Sequence, residues 1–171
     1  MLSELHWFAF RVLYNRSANV IRRLQEDGVR YFVPMRTVEK ITDKGLEYIE
    51  EPVFTSLLFV QCTLGYINTL RRTPDISILV YSRPGTTEPA IVADREMEIF
   101  MHVITTGSQR LDVVDEKLLK GDRVRVTGGI FKGMEGYITR VHGTKRFVVV
   151  VEGVAAVATT YIPRCFIEKI T

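Results

Sequence analysis

Three histidines, His6, His102 and His142, are the natural candidates for acid–base or metal chemistry in this chain. They lie far apart in sequence, with no carboxylate or cysteine beside them at ligand spacing. Cys62 and Cys165 each sit inside an apolar, strand-like run, which reads as a buried free thiol of a reducing compartment. Glu47, Glu50 and Glu51 cluster, but on an arm where solvation accounts for them. The run Gly128-Gly129-Ile130-Phe131-Lys132-Gly133 lacks the Gly-Lys-Ser/Thr ending of a phosphate-binding loop. No G-x-S-x-G elbow offers a nucleophilic serine. The chain is therefore expected to bind rather than catalyse, with no metal and no cofactor. The side chains left for recognition are arginines. Arg16, Arg22 and Arg23 fall on one predicted helix and Arg71 and Arg72 on another, and guanidinium groups suit phosphate. A solvated helix face is the plainer account of both groups.

These residues need elements to hold them. His6–Val12 is rich in aromatic and β-branched residues and predicts a strand. Ser17 is placed to cap a helix that runs to about Asp27, where Gly28 stops it. Ala18, Ile21 and Leu24 would form its packed stripe. Tyr31–Lys40 predicts a second strand with Pro34 at an edge or bend. Asp43-Lys44-Gly45 is a turn signal, and Leu46–Ile49 returns, giving a long hairpin with a charged tip. Leu57–Cys62 is a continuous apolar run and predicts a buried central strand. Tyr66–Arg72 predicts a short helix, Ile76–Tyr81 a strand, Ala90–Val92 a short edge, and Asp94 to about Thr105 a last helix with Met97, Phe100, Met101 and Ile104 inward. The order β-α-β-β-α-β-α, with helices against a mostly antiparallel sheet, predicts an α+β sandwich of the ferredoxin-like kind. Residues 107–120 lack periodicity and read as a linker between a domain over 1–106 and another over 121–171.

At 171 residues and 46% hydrophobic content the chain can form one large domain or two small ones. The net charge of +3 is too small to require a polyanion. Its placement is uneven: 12 Lys and Arg face 13 Asp and Glu before residue 107, against 11 and 7 after it. No run approaches the ~20 apolar residues of a membrane helix. His6 and Arg11 interrupt the opening stretch too early for a signal peptide, so a cytoplasmic location is expected.

The stretch Gly121–Val141 is the most distinctive. Val124 and Val126 alternate with Arg123 and Arg125, the period of a half-buried strand. Gly128, Gly129, Gly133 and Gly136 stud the loop that follows, with Ile130 and Phe131 as apolar anchors, and Tyr137–Val141 returns as a strand. With Gly121, Asp122, Val124, Val126, Gly129, Phe131, Gly133 and Gly136 in place, this stretch resembles a KOW motif. KOW modules are small β-barrels that bind RNA or proteins of the transcription and translation machinery. Five strands would build it: Arg123–Thr127, Met134–Val141, Arg146–Val151, Ala155–Ile162 and Cys165–Ile170. Gly153 is placed to turn the third into the fourth.

An α+β domain, a linker and a KOW barrel, in that order, resemble the NusG family of transcription elongation factors. His6-Trp7-Phe8-Ala9-Phe10 is similar to the family's opening strand, and Phe32-Val33-Pro34-Met35 to its second. Glu51–Val60 matches the place where Phe-Pro-x-Tyr precedes an apolar strand. Leu70–Ile76 resembles its Arg-x-Thr-x-Gly-Val segment. Thr55-Ser56-Leu57 departs from Pro-x-Tyr, and Asp75 stands where glycine is usual. Glu152-Gly153 stands where the general factor has Phe-Gly, on the surface used for Rho and a small-subunit ribosomal protein. These departures resemble the specialised paralogues that include RfaH and the antiterminators of surface-polysaccharide operons.

The resemblance implies a bacterial elongation and antitermination factor that binds the clamp helices of RNA polymerase and suppresses pausing or termination. Phe54, Val53, Leu57, Phe10 and Tyr14 would form the polymerase contact. Arg16, Arg22, Arg23, Arg71 and Arg72 would touch DNA of the elongation complex. Glu152 leaves open whether the barrel meets the ribosome, Rho is not expected to bind, and no membrane is involved. A ribosome-associated or RNA-binding KOW protein is the alternative.

Overall fold

The computed structural model describes residues 3–106, 111–115, 121–159 and 162–170. The chain divides into two compact units, one of Met1–Pro34 with Phe54–Met97 and the other of Met35–Val53 with Glu98–Thr171. All strand pairings among the described residues are antiparallel. With three helices beside them, the fold class is α+β, as expected.

In the first unit, β1 (His6–Val12) pairs with β5 (Leu57–Cys62), β6 (Ile78–Val80) and β7 (Ile91–Val92). β2 (Arg30–Phe32) pairs with β5, so the strand order is β2-β5-β1-β6. β1 and β5 are central, and this is why their sequences run apolar on both faces: Trp7 to Phe10 and Leu57 to Val60 are all buried. One face is built by Phe8, Phe10, Val12, Leu58, Val60 and Cys62, packed with Val20 and Leu24 of α1 (Ser17–Glu26) and Ile67 and Leu70 of α2 (Leu64–Arg72). Burial pushes the Cys62 thiol up to about 12, so it stays protonated and unreactive.

Two details of α1 differ from the sequence reading. Ser17 is its first helical residue, and the N-cap is Arg16, with no side-chain cap bond. The buried stripe is Val20 and Leu24, spaced i, i+4, while Ala18 is exposed and Ile21 half-buried. At about 100° per residue Val20 and Leu24 share one face of the helix, whereas Ala18 lies about 200° from Val20 and so faces away. At α2 the Thr63 hydroxyl caps, accepting from the Tyr66 amide at 3.1 Å. α3 (Asp94–Thr106) buries Met97, Ile99, Phe100, Val103 and Ile104, with Met101 half-buried.

The second unit holds a two-stranded ribbon and a six-stranded sheet. The ribbon is β3 (Met35–Thr42) with β4 (Gly45–Pro52), in register from Met35 opposite Pro52 to Thr42 opposite Gly45. The predicted single strand Tyr31–Lys40 is thus two, broken at Val33-Pro34, because proline has no amide to donate to a ladder. The sheet comprises β8 (Asp112–Val114), β9 (Asp122–Val126), β10 (Glu135–Val141), β11 (Thr144–Val151), β12 (Ala155–Ala158) and β13 (Ile167–Lys169). Their order is β13-β9-β10-β11-β12-β8. β8 comes from the stretch read as linker; the parts of that stretch at 107–110 and 116–120 lie outside the described residues. So does the end of the predicted strand Ala155–Ile162, at Thr160 and Tyr161. A 3-10 turn at Arg164–Phe166 takes up the start of the predicted last strand.

Candidate functional site

The segment leading into β5 carries the apolar residues singled out from the sequence. Val53 and Leu57 are buried, and Phe54 is half-buried between them in sequence. Phe10 has no exposed area and belongs to the core, so it supports the sheet and offers nothing to a partner. Tyr14 is the opposite case, 79% exposed in the loop after β1.

That loop is strained. Tyr14 and Asn15 both have φ of +55°, a region non-glycine residues rarely occupy. Ser56 at +64° and Asp75 at +65° share the strain, and hydrogen bonds link these segments. The Val12 amide donates to the Ser56 carbonyl at 2.8 Å, and the Leu13 amide to the Ser77 carbonyl at 2.9 Å. Asn19 Nδ2 reaches the Asp75 carbonyl at 3.5 Å, and Arg16 lies 4.0 Å from the Asp75 carboxylate. The Arg16 guanidinium also sits 6.0 Å from the centre of the Tyr14 ring. Asp75 occupies the position where the resemblance expects glycine, and its left-handed backbone is the physical reason glycine suits that position. Non-glycine residues held in this region cost about 1–3 kcal/mol each and gather where surrounding structure overdetermines them.

The arginines separate into two groups. Arg23 is committed: its Nε donates to Asp27 at 2.7 Å, and the Tyr66 hydroxyl donates to the same oxygen at 2.6 Å. The Tyr66 hydroxyl and then Arg23 hold the Asp27 carboxyl below its usual range. Burial, and then Asp27, push the Tyr66 phenol well above its ordinary value. This triad fastens α1 to α2. Arg22 is exposed and makes a long bond to Asn19 at 3.4 Å, and Arg71 and Arg72 are exposed at the end of α2.

The glycine-studded loop joins β9 to β10. Val124, Val126 and Phe131 are buried, and the Phe131 ring lies 6.2 Å from that of Phe147. Gly133 donates its amide to the Val126 carbonyl at 2.7 Å, and the Met134 amide donates to the Phe131 carbonyl at 3.0 Å. Three of the glycines answer to close approach, and a Cβ on Gly128 would lie 2.5 Å from Cδ1 of the Phe166 ring. A Cβ on Gly121 would lie 2.2 Å from the Ile138 carbonyl oxygen, and one on Gly136 would lie 2.4 Å from that of Val148. Asp122 pairs with Lys169 at 3.0 Å and Gly129 takes φ of +79°. His102 Nε2 lies 3.0 Å from the Ile130 carbonyl oxygen, which makes it a structural histidine. Glu152 is exposed in the turn between β11 and β12.

Three exposed residues escaped the sequence reading. Ile41, Leu46 and Tyr48 are 85%, 59% and 65% exposed on the ribbon, so its outer part is apolar as well as charged. Ile41 lies directly opposite Leu46, and Tyr48 opposite Glu39. The alternation of apolar and charged residues in Leu46–Ile49 was the available signal, since successive side chains point to opposite faces. Among the described residues no group of three His, Cys, Asp or Glu is placed to hold a metal ion. No helix among them is long and apolar enough to cross a membrane.

Comparisons with known proteins agree on one family. Residues 5–101 match the family model described as transcription termination factor nusG. The transcription termination/antitermination protein NusG of Lactococcus lactis is 23% identical over 137 residues, covering 78% of this chain and 67% of the relative. A solved structure describing domain interaction in Thermotoga maritima NusG shares the fold, with a TM-score of 0.52 over 98% of each chain at 18% identity. Since the family match spans more than half of the chain, including the strained loop and the approach to β5, the protein belongs to the NusG family of transcription termination and antitermination factors.

Proposed function

We infer that this NusG-family protein is an elongation and antitermination factor of the bacterial cytoplasm that binds the clamp helices of RNA polymerase and suppresses pausing or termination on selected operons. The observation that carries this reading is the family match over 5–101, which contains every apolar and basic residue assigned to the contact. In the proposed domain plan, 1–106 is a ferredoxin-like module, 107–120 a linker and 121–171 a KOW barrel. The strand order β2-β5-β1-β6 supports the first assignment, and the packing of Gly121, Phe131 and Gly136 supports the last. A factor that binds the closed clamp better than the open one shifts the polymerase toward the closed state.

Phe54 and Tyr14 would touch the polymerase, with Val53 and Leu57 behind them. Phe54→Ala should weaken polymerase binding by ~2 kcal/mol, the common cost of truncating an aromatic anchor, with an unchanged melting temperature. Equal affinities in a titration of both proteins would remove Phe54 from the contact. Arg16, Arg22, Arg71 and Arg72 would meet DNA phosphates beside the polymerase, while Arg23 positions α1. Arg22→Glu with Arg72→Glu should lower pause suppression in transcription while leaving clamp affinity in the titration alone. Unaltered pause lifetimes on a full elongation complex would show the arginines to be a solvated face.

The specialised reading rests on Glu152. An exposed carboxylate placed where the general factor presents an aromatic to Rho would have to lose its water on docking, a cost of several kcal/mol. Adding the purified protein to a Rho-dependent termination assay should therefore increase read-through. Stimulated termination would show that it behaves as a general factor instead.

A further inference from the structure

The six-stranded sheet has two ends, and the chain guards them differently. At one end β13 carries Glu168, 4.0 Å from Arg125, and Lys169, 3.0 Å from Asp122. Charges on an edge strand discourage pairing with another chain. Without β8, the other end would be β12. Its sequence, Ala155-Ala156-Val157-Ala158, has no charge, no proline and no glycine, and all four residues are buried. Such an edge is a template for strand addition.

β8 covers that edge with three residues: Asp112, Val113 and Val114 lie opposite Ala158, Val157 and Ala156. Side chains fasten its first residue. Arg146 of β11 forms an ion pair with Asp112 through Nη1, donates from Nε to the Thr159 carbonyl, and donates from Nη2 to the Ala158 carbonyl at 3.3 Å. The Arg146 side chain is only 14% exposed, so this pair is shielded from solvent on one side. Just before it, Arg36 of β3 donates to the Leu111 carbonyl at 3.4 Å while its Nε and Nη2 hold Glu51 at 3.0 and 2.8 Å. Leu111 is buried, and Val114 packs on Val148, Ala156 and Ala158. With β8 in place the outermost strand is short and carries an acidic residue, two features that blunt an edge.

We propose that the outer edge of β12 is a latent pairing surface for a second copy of this chain, and that β8, latched by Asp112 and Arg146, is the strap that closes it. A second copy fits because β12 is complementary to itself. Two such strands related by a two-fold axis set only alanine and valine against one another, with no like charges to repel. The strap prevails in the single chain because its tether gives it a high effective concentration that a free partner lacks. Losing the latch removes that advantage at its fastened end.

Asp112→Lys sets a like charge against Arg146 and tests this. In sedimentation velocity over about a hundredfold range of concentration, the wild type should remain monomeric and the variant should self-associate about tenfold or more tightly. At the lowest concentration, hydrogen exchange of the segment 155–158 should be about tenfold faster in the variant. Val113→Cys with Val157→Cys, directly opposite in the ladder, can be oxidised to staple the strap shut. Stapling should return the Asp112→Lys variant to a monomer. Unchanged mass and unchanged exchange in the variant would overturn the proposal, and so would equal self-association with the staple in place. If circular dichroism shows that Asp112→Lys has lost its sheet, Asp112→Asn, which removes the charge and keeps the shape, decides by the same two readouts.

Discussion

Gly136→Val should unfold the C-terminal sheet. Gly136 lies on β10 opposite Val124 of β9. A Cβ there would stand 2.4 Å from the Val148 carbonyl oxygen and 2.7 Å from Cε2 of Phe147. Neither neighbour can give way. The oxygen belongs to the backbone of β11, and the Phe147 ring is fully buried against Phe131. Overpacking by a methyl or two costs about 1–3 kcal/mol even where side chains can shift, and here the obstacle is main chain. We expect a loss of more than about 3 kcal/mol, a large part of the ~5–15 kcal/mol by which domains are stable. Gly133→Ala provides the contrast. It meets nothing within 4 Å, and only its φ of +85° opposes the change, so its cost should be about 1–2 kcal/mol. Urea unfolding of both variants checks the order; a Gly136→Val variant as stable as Gly133→Ala would mean that β10 and β11 lie further apart than described.

Phe10→Ala should destabilise the first unit by about 3–5 kcal/mol, the cost of emptying a phenylalanine site in a packed core. Phe10 is fully buried, opposite Leu58 in the ladder and clustered with Phe8, Val12, Val20 and Leu24. Its loss should lower the melting temperature by many degrees. Polymerase affinity of the fraction that remains folded should change little. Phe54→Ala should do the reverse, and the pair of variants separates support from contact. If Phe10→Ala melted normally and bound poorly, Phe10 would belong on the surface after all.

The strained loops explain why the proposed contact region was only partly legible in the sequence. Asp75 and Ser56 could be read as departures from a family pattern, but aspartate merely tolerates a positive φ and serine does not announce one. That conformation follows from which amides and carbonyls β1 and the segment after α2 present to one another, and this is set by pairings distant in sequence. The same holds for Arg23. Its type and spacing suit phosphate, yet Asp27 claims it, and the Tyr66 hydroxyl that holds the same Asp27 oxygen comes from 39 residues beyond Asp27.

By itself the sequence determined the α+β class, the apolar centre of β1 and β5, the helix stop at Gly28, and the glycine-studded hairpin. These are local matters of side-chain period and backbone permission, which a single stretch of chain records. Tertiary structure alone decided that Phe10 is core while Tyr14 is surface, because alternation along a strand says which residues share a face and not what covers that face. It also decided that Asp112–Val114 is a strand. Three residues carry too little periodicity to be read, and their conformation comes from the open ladder of β12 and the charge of Arg146, both supplied by residues more than 30 positions further along the chain.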